Sequence, residues 1–143
     1  MNARRAFASV ILSLLLLFTL VGSPVAAKSN TFSAHLSGDE EVPAVDTQAQ
    51  GQATFRLSKD GDSLSYRLIV SNIENVSMAH IHLAPAGENG GVVAWLYPSA
   101  PPAALIEGVT NGVLAEGVIT ADDLFGALAG ESLSALLDAL ESG

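Results

Sequence analysis

The sequence predicts an all-β domain, a sandwich or barrel closed by one or two short C-terminal helices, and three observations carry that prediction. Apolar and polar residues alternate with period two over several short runs between residues 31 and 97. Turn-forming residues separate those runs, and a helical apolar period appears only near the C-terminus.

The elements follow in order. Phe32, Ala34 and Leu36 alternate with Thr31, Ser33 and His35, the pattern of a half-buried strand. Ala53, Phe55 and Leu57 alternate with Gln52, Thr54 and Arg56, and Leu64, Tyr66, Leu68 and Val70 resume the alternation after Lys59-Asp60-Gly61-Asp62. The Asp-Gly pair tolerates the positive φ of a tight turn, so residues 52–71 read as an antiparallel hairpin with those apolar residues facing the core. Met78-Ala79-His80-Ile81-His82-Leu83 is the next strand, with His80 and His82 on one face and Ala79, Ile81 and Leu83 on the other.

Pro85 to Gly91 makes a Gly-rich loop, and Val92-Val93-Ala94-Trp95-Leu96-Tyr97 returns as a strand before Pro98, Pro101 and Pro102 break the pattern. Val113 to Ile119 is a further short strand. Thr120-Ala121-Asp122-Asp123 reads as a helix start, with Thr120 as the cap and two carboxylates at the positive end of the dipole; Gly126 and Gly130 keep that helix short. A second helix begins at Ser132, where Leu133, Leu136, Leu137 and Leu140 form one apolar stripe.

The N-terminus points to export. Arg4-Arg5 precedes an apolar stretch from Val10 to Val21 and the small-residue pattern Val25-Ala26-Ala27, which reads as a secretory signal over residues 1–27. Its apolar core falls short of the roughly 20 residues that span a bilayer, so no membrane span is expected after cleavage. Arg4-Arg5-Ala6-Phe7 resembles a fragment of a twin-arginine signal, but the strongly apolar core favours the general secretory route. The expected product is a secreted or periplasmic single domain, residues 28–143. Losing Arg4 and Arg5 takes the formal charge from −9 to −11, which repels nucleic acid and anionic membranes. The chain has no cysteine, which removes thiol catalysis, thiolate ligands and disulfides from consideration.

Three segments together resemble the CHRD domain, the module repeated in chordin and found as a single domain in many exported bacterial proteins. Leu36-Ser37-Gly38-Asp39-Glu40-Glu41-Val42-Pro43 is similar to the family's Glu-Val-Pro opening. Ala79-His80-Ile81-His82 followed by Pro85-Ala86-Gly87-Glu88-Asn89-Gly90 is similar to its histidine strand and Gly-rich loop, and Gly117 to Leu124 to its late helix start. The resemblance implies an immunoglobulin-like, Greek-key β-sandwich or barrel outside the cytoplasm, with no established enzymatic activity in the bacterial members. It also implies a closing strand and a late histidine after the final helix, where this sequence stops at Leu140-Glu141-Ser142-Gly143. A domain without that strand is expected to be C-terminally incomplete, and to self-associate through an open sheet edge.

The chemistry rests on the three histidines. His80 and His82 could ligate copper or zinc as a His-x-His strand pair if a third ligand came from elsewhere, with His35 or Glu41 as candidates. The plainer reading has them bond backbone and carboxylate neighbours, holding the Gly-rich loop against the sheet. The pair also resembles the copper-ligand strand of copper/zinc superoxide dismutase, but the second histidine group and the cysteines of that family are missing, so dismutase activity is not expected.

Adjacent strand residues Glu40 and Glu41 point to opposite faces and read as a charged turn, and helix capping accounts for Asp122 and Asp123. The Gly-rich loop lacks the Lys and Ser or Thr of a phosphate loop. Trp95 and Tyr97 share a face and read as a core tryptophan with its neighbour, or as an aromatic patch. Asn75-Val76-Ser77 fits a glycosylation acceptor in a eukaryotic source. The functional expectation is a secreted CHRD-type binding or structural module for a protein or small ligand, with a mononuclear copper or zinc protein as the alternative.

Overall fold

The computed structural model describes residues 30–142, and within them the period-two segments form antiparallel strands. β1 (Thr31–Ser37), β2 (Gln50–Leu57), β3 (Leu64–Glu74), β4 (Ala79–Leu83), β5 (Gly91–Tyr97) and β6 (Val109–Ile119) are followed by one α-helix, α1 (Leu133–Ser142). A four-stranded sheet has the order β1-β2-β3-β6, and β4 pairs with β5 in a two-stranded sheet. This is the all-β sandwich that the alternation predicts. The expected signal, residues 1–27, lies outside the described residues. Among the described residues no helix is long and apolar enough to cross a membrane.

The β2–β3 hairpin is the centre of the fold, and burial alternates along β2 and along β3 as far as Val70, beyond which a register shift inverts it. Its connection is longer than a tight turn: it runs over Ser58–Ser63, where Gly61 takes φ +82° and the Ser58 hydroxyl donates to the Asp60 carboxylate. That bond holds the Asp60 carboxyl below its ordinary range.

The inner face of the large sheet tapers. Directly opposed residues point to the same face of a sheet, so each inward side chain of β3 forms a rung with its partners on β2 and β6. The rungs are Leu57–Leu64–Ile119, Phe55–Tyr66–Gly117, Ala53–Leu68–Ala115 and Gly51–Val70–Gly112. Large side chains fill the first rung, where Leu64 and Ile119 are fully buried, and only Val70 fills the last.

In the second rung Gly117 is required by close approach, because a Cβ there would stand 2.7 Å from the Tyr66 ring. Tyr66 uses that space to reach across the sandwich, donating its hydroxyl to the Leu96 carbonyl at 2.8 Å. Burial pushes the phenol's pKa up, with the Asp123 charge adding to the shift. Val93, Ala94 and Leu96 of β5 and Leu133, Leu136 and Leu137 of α1 complete the same core.

Three local expectations change. Ala34 and Leu36 are exposed rather than half-buried, since β1 is an edge strand beside the thin end of the taper. The helix expected at Thr120 is a single 3-10 turn, Ala121–Asp123, in which the Asp123 carboxylate accepts from both the Thr120 N–H and its hydroxyl at 2.8 Å. A second 3-10 turn, Gly126–Leu128, follows, and positive φ at Gly126 and Gly130 stops either turn from growing. Trp95 is half-buried and outside the core, because β5 turns Val93, Ala94 and Leu96 inward around a register shift.

Candidate functional site at the open end of the sandwich

The taper leaves a cleft of about 460 Å³ where the last rung lacks side chains, and Leu68, Val70, Ile73, Val76 and Leu114 form its apolar walls. That volume lies in the range of small-molecule pockets, about 300–1,000 Å³. The segment between β1 and β2 supplies one lip through Glu41, Val45 and Thr47, and Met78, Ala79, His80 and His82 supply the other.

Each lip is held by identifiable bonds. The Gly38 carbonyl accepts from the Val45 N–H at 2.9 Å and from the Glu41 N–H at 3.2 Å, folding the first lip back on itself. Asn89 Nδ2 donates to the Val42 carbonyl at 2.6 Å, tying the Gly-rich loop to this lip. In the Gly-rich loop Gly90 is required, since a Cβ would collide with the Leu83 carbonyl. That close approach brings the Gly90 carbonyl to 2.9 Å from His82 Nδ1. A carbonyl only accepts, so Nδ1 carries the proton, which leaves the Nε2 lone pair of a neutral His82 free of this bond.

His80 and His82 do lie side by side on β4, with ring centroids 5.6 Å apart and the rings edge to face. His80 pairs across the sheet with Trp95, whose ring stands edge-on at 4.4 Å, while Ile81 pairs with the buried Ala94 on the other face. His80 Nε2 and Trp95 Nε1 are both shielded from solvent and have no hydrogen-bond partner. A buried group in that state costs about 1–3 kcal/mol. Burial, and then the neighbouring His82, lower the His80 pKa, which favours the neutral ring.

The other candidate ligands fare differently. His35 pairs with Gln52, whose neighbour Ala53 faces the core, so His35 lies on the outer face of the large sheet, away from β4. It does not join His80 and His82. Glu41 borders the same cleft as the pair, yet among the described residues no three His, Cys, Asp or Glu side chains are grouped to hold a metal ion. Glu40 closes a one-turn 3-10 helix, Gly38–Glu40, and Glu41 follows it, as a charged turn would have them. Asn75 is exposed, and its Oδ1 accepts from the Gly108 N–H at 2.9 Å. Sequence reasoning missed Trp95 as the partner of His80 and Thr47 and Met78 at the cleft; only the cross-strand register brings them there.

A family profile for the CHRD domain matches residues 32–141. The chain belongs to the CHRD domain family. Neither the curated proteins nor the solved structures gave a match. CHRD domains occur in extracellular and secreted proteins. In this CHRD domain, two of the three segments that carry the resemblance, Leu36 to Pro43 and Ala79 to Gly90, meet at the cleft and are joined by the Asn89–Val42 bond. The third ends β6 and forms the 3-10 turn at Ala121–Asp123.

Proposed function

We propose that this CHRD domain works outside the cytoplasm as a binding module, and that its working surface is the open end of the sandwich rather than a catalytic centre. The ligand is a small, mainly apolar molecule with a polar end. The observation that carries this reading is the cleft itself: apolar walls from the large sheet, polar groups confined to the lips, and lips built from two segments fixed to each other by Asn89. The charge of −9 and the lack of a cysteine favour binding over nucleic-acid or thiol chemistry.

The test is a titration with an environment-sensitive apolar dye such as anilinonaphthalene sulfonate, using the intact chain and Ala49→Trp. Ala49 lines the cleft from the segment before β2, so an indole there fills space without replacing a residue of a core rung. The dye should bind the wild type saturably and lose at least tenfold in affinity to Ala49→Trp, with the unfolding midpoint unchanged. Equal binding by both proteins would place the dye elsewhere and remove the cleft as the working surface.

A further inference from the structure

We propose that His80, His82 and solvent form a mononuclear Cu(II) site on the face of β4, with two imidazole nitrogens as its only protein ligands. The proposal is independent of any organic ligand in the cleft. Three separate features of the pair support it. The rings share a face of the strand at 5.6 Å between centroids, close enough for both to reach one ion. His82 donates Nδ1–H to the Gly90 carbonyl, the outer-shell arrangement that fixes tautomer and ring orientation in metal-ligating histidines and presents Nε2. His80 carries a shielded Nε2 with no hydrogen-bond partner, an anomaly that a bound cation removes.

The choice of ion follows from what is missing. No third His, Asp or Glu of the described residues is grouped with the pair, and the chain has no cysteine. Structural zinc sites take four protein ligands and catalytic ones three, so two imidazoles serve zinc poorly. Among the divalent first-row ions Cu(II) binds nitrogen donors most tightly, and it accepts water in its remaining positions.

Trp95 makes the site observable. It is the only tryptophan in the chain, and its ring lies 4.4 Å from that of His80, so a paramagnetic ion on His80 quenches its fluorescence. The test titrates CuCl₂ into chelator-treated full chain while following Trp95 emission, with electron paramagnetic resonance of the one-equivalent complex. Quenching should saturate at one equivalent and the spectrum should report two nitrogen donors. His82→Asn retains an N–H donor for the Gly90 carbonyl and removes Nε2; it should weaken Cu(II) binding at least tenfold without moving the unfolding midpoint. His80→Gln should do the same to binding, and His35→Asn should change nothing. ZnCl₂ should not compete at tenfold excess. Copper quenching unaffected by His82→Asn and His80→Gln, a spectrum without nitrogen couplings, or displacement by equimolar zinc would each overturn the site.

Discussion

The two ends of the β3 inner face are made by the same alternation and behave oppositely. At one end Leu64 stands between Leu57 and Ile119 with no exposed surface; at the other Val70 stands between two glycines beside a cleft. Periodicity decides which side chains face inward, but the size of their cross-strand neighbours decides whether the sheets close over them. The closed end therefore stabilises the fold, and the open end keeps an apolar-walled cleft.

Substitutions that should matter only at the closed end test this contrast most strongly. Phe55→Ala should cost about 3–5 kcal/mol in a denaturant titration, counting the cavity it leaves beside Tyr66. Val70→Ala should cost no more than about 1.5 kcal/mol, because the two lost methyl groups already border open space. Equal losses would mean that the taper has no energetic meaning.

The glycines separate the two ends further. Gly117→Ala drives a Cβ into the Tyr66 ring and should cost about 1–3 kcal/mol, displacing the hydroxyl from the Leu96 carbonyl. Gly51→Ala meets the Ile69 carbonyl at 3.1 Å and the mobile end of Leu36 at 3.2 Å, and should stay within about 1 kcal/mol of wild type. Thermal midpoints of the two variants measured side by side check the ordering.

A smaller effect comes from His80 in metal-free protein. Its folded-state pKa is lowered below the ordinary 6.5, so the unfolded chain takes up a proton that the folded chain resists. That difference vanishes above the unfolded pKa and destabilises the fold as pH falls below it. Wild type should thus lose stability faster than His80→Gln between neutral pH and the lowered folded pKa, as read from urea midpoints at stepped pH. Parallel profiles would show that burial does not perturb the ring.

The smallest effect belongs to the outer face, where Val113 and its partner Ile69 are exposed on the edge pair β3–β6. Val113→Lys should change stability by less than about 0.5 kcal/mol while lowering the self-association expected of an open β6 edge, followed by sedimentation.

The contrast also shows how far the sequence alone could go. Phe55, Tyr66, Leu68 and Val70 announce their inward face by alternation, and the core contains all four. Leu133, Leu136 and Leu137 do the same for α1 by their helical spacing. The side-by-side placement of His80 and His82 follows from period two, and the close approach of their rings agrees with it. The taper was not legible, because it needs Gly51 and Gly112 matched to the same residue of β3, and a register shift at Leu68/Ile69 sets that match on the β6 side. Trp95 was misplaced for a related reason: a shift in the β4–β5 pairing breaks the strict alternation that made it a core residue. The separation of His35 from the other histidines likewise depends on which face of the large sheet Gln52 occupies.

If one end of this CHRD sandwich is closed and the other accepts an apolar guest, methyl-resolved nuclear magnetic resonance under xenon pressure tells the two ends apart. Xenon enters apolar space in proteins without needing a polar partner. Shifts should concentrate in the methyl groups of Val70, Ile73, Val76 and Leu114, with those of Leu64, Ile119 and Leu136 unmoved. Shifts spread evenly over both groups, or confined to Leu64 and Ile119, would contradict that division.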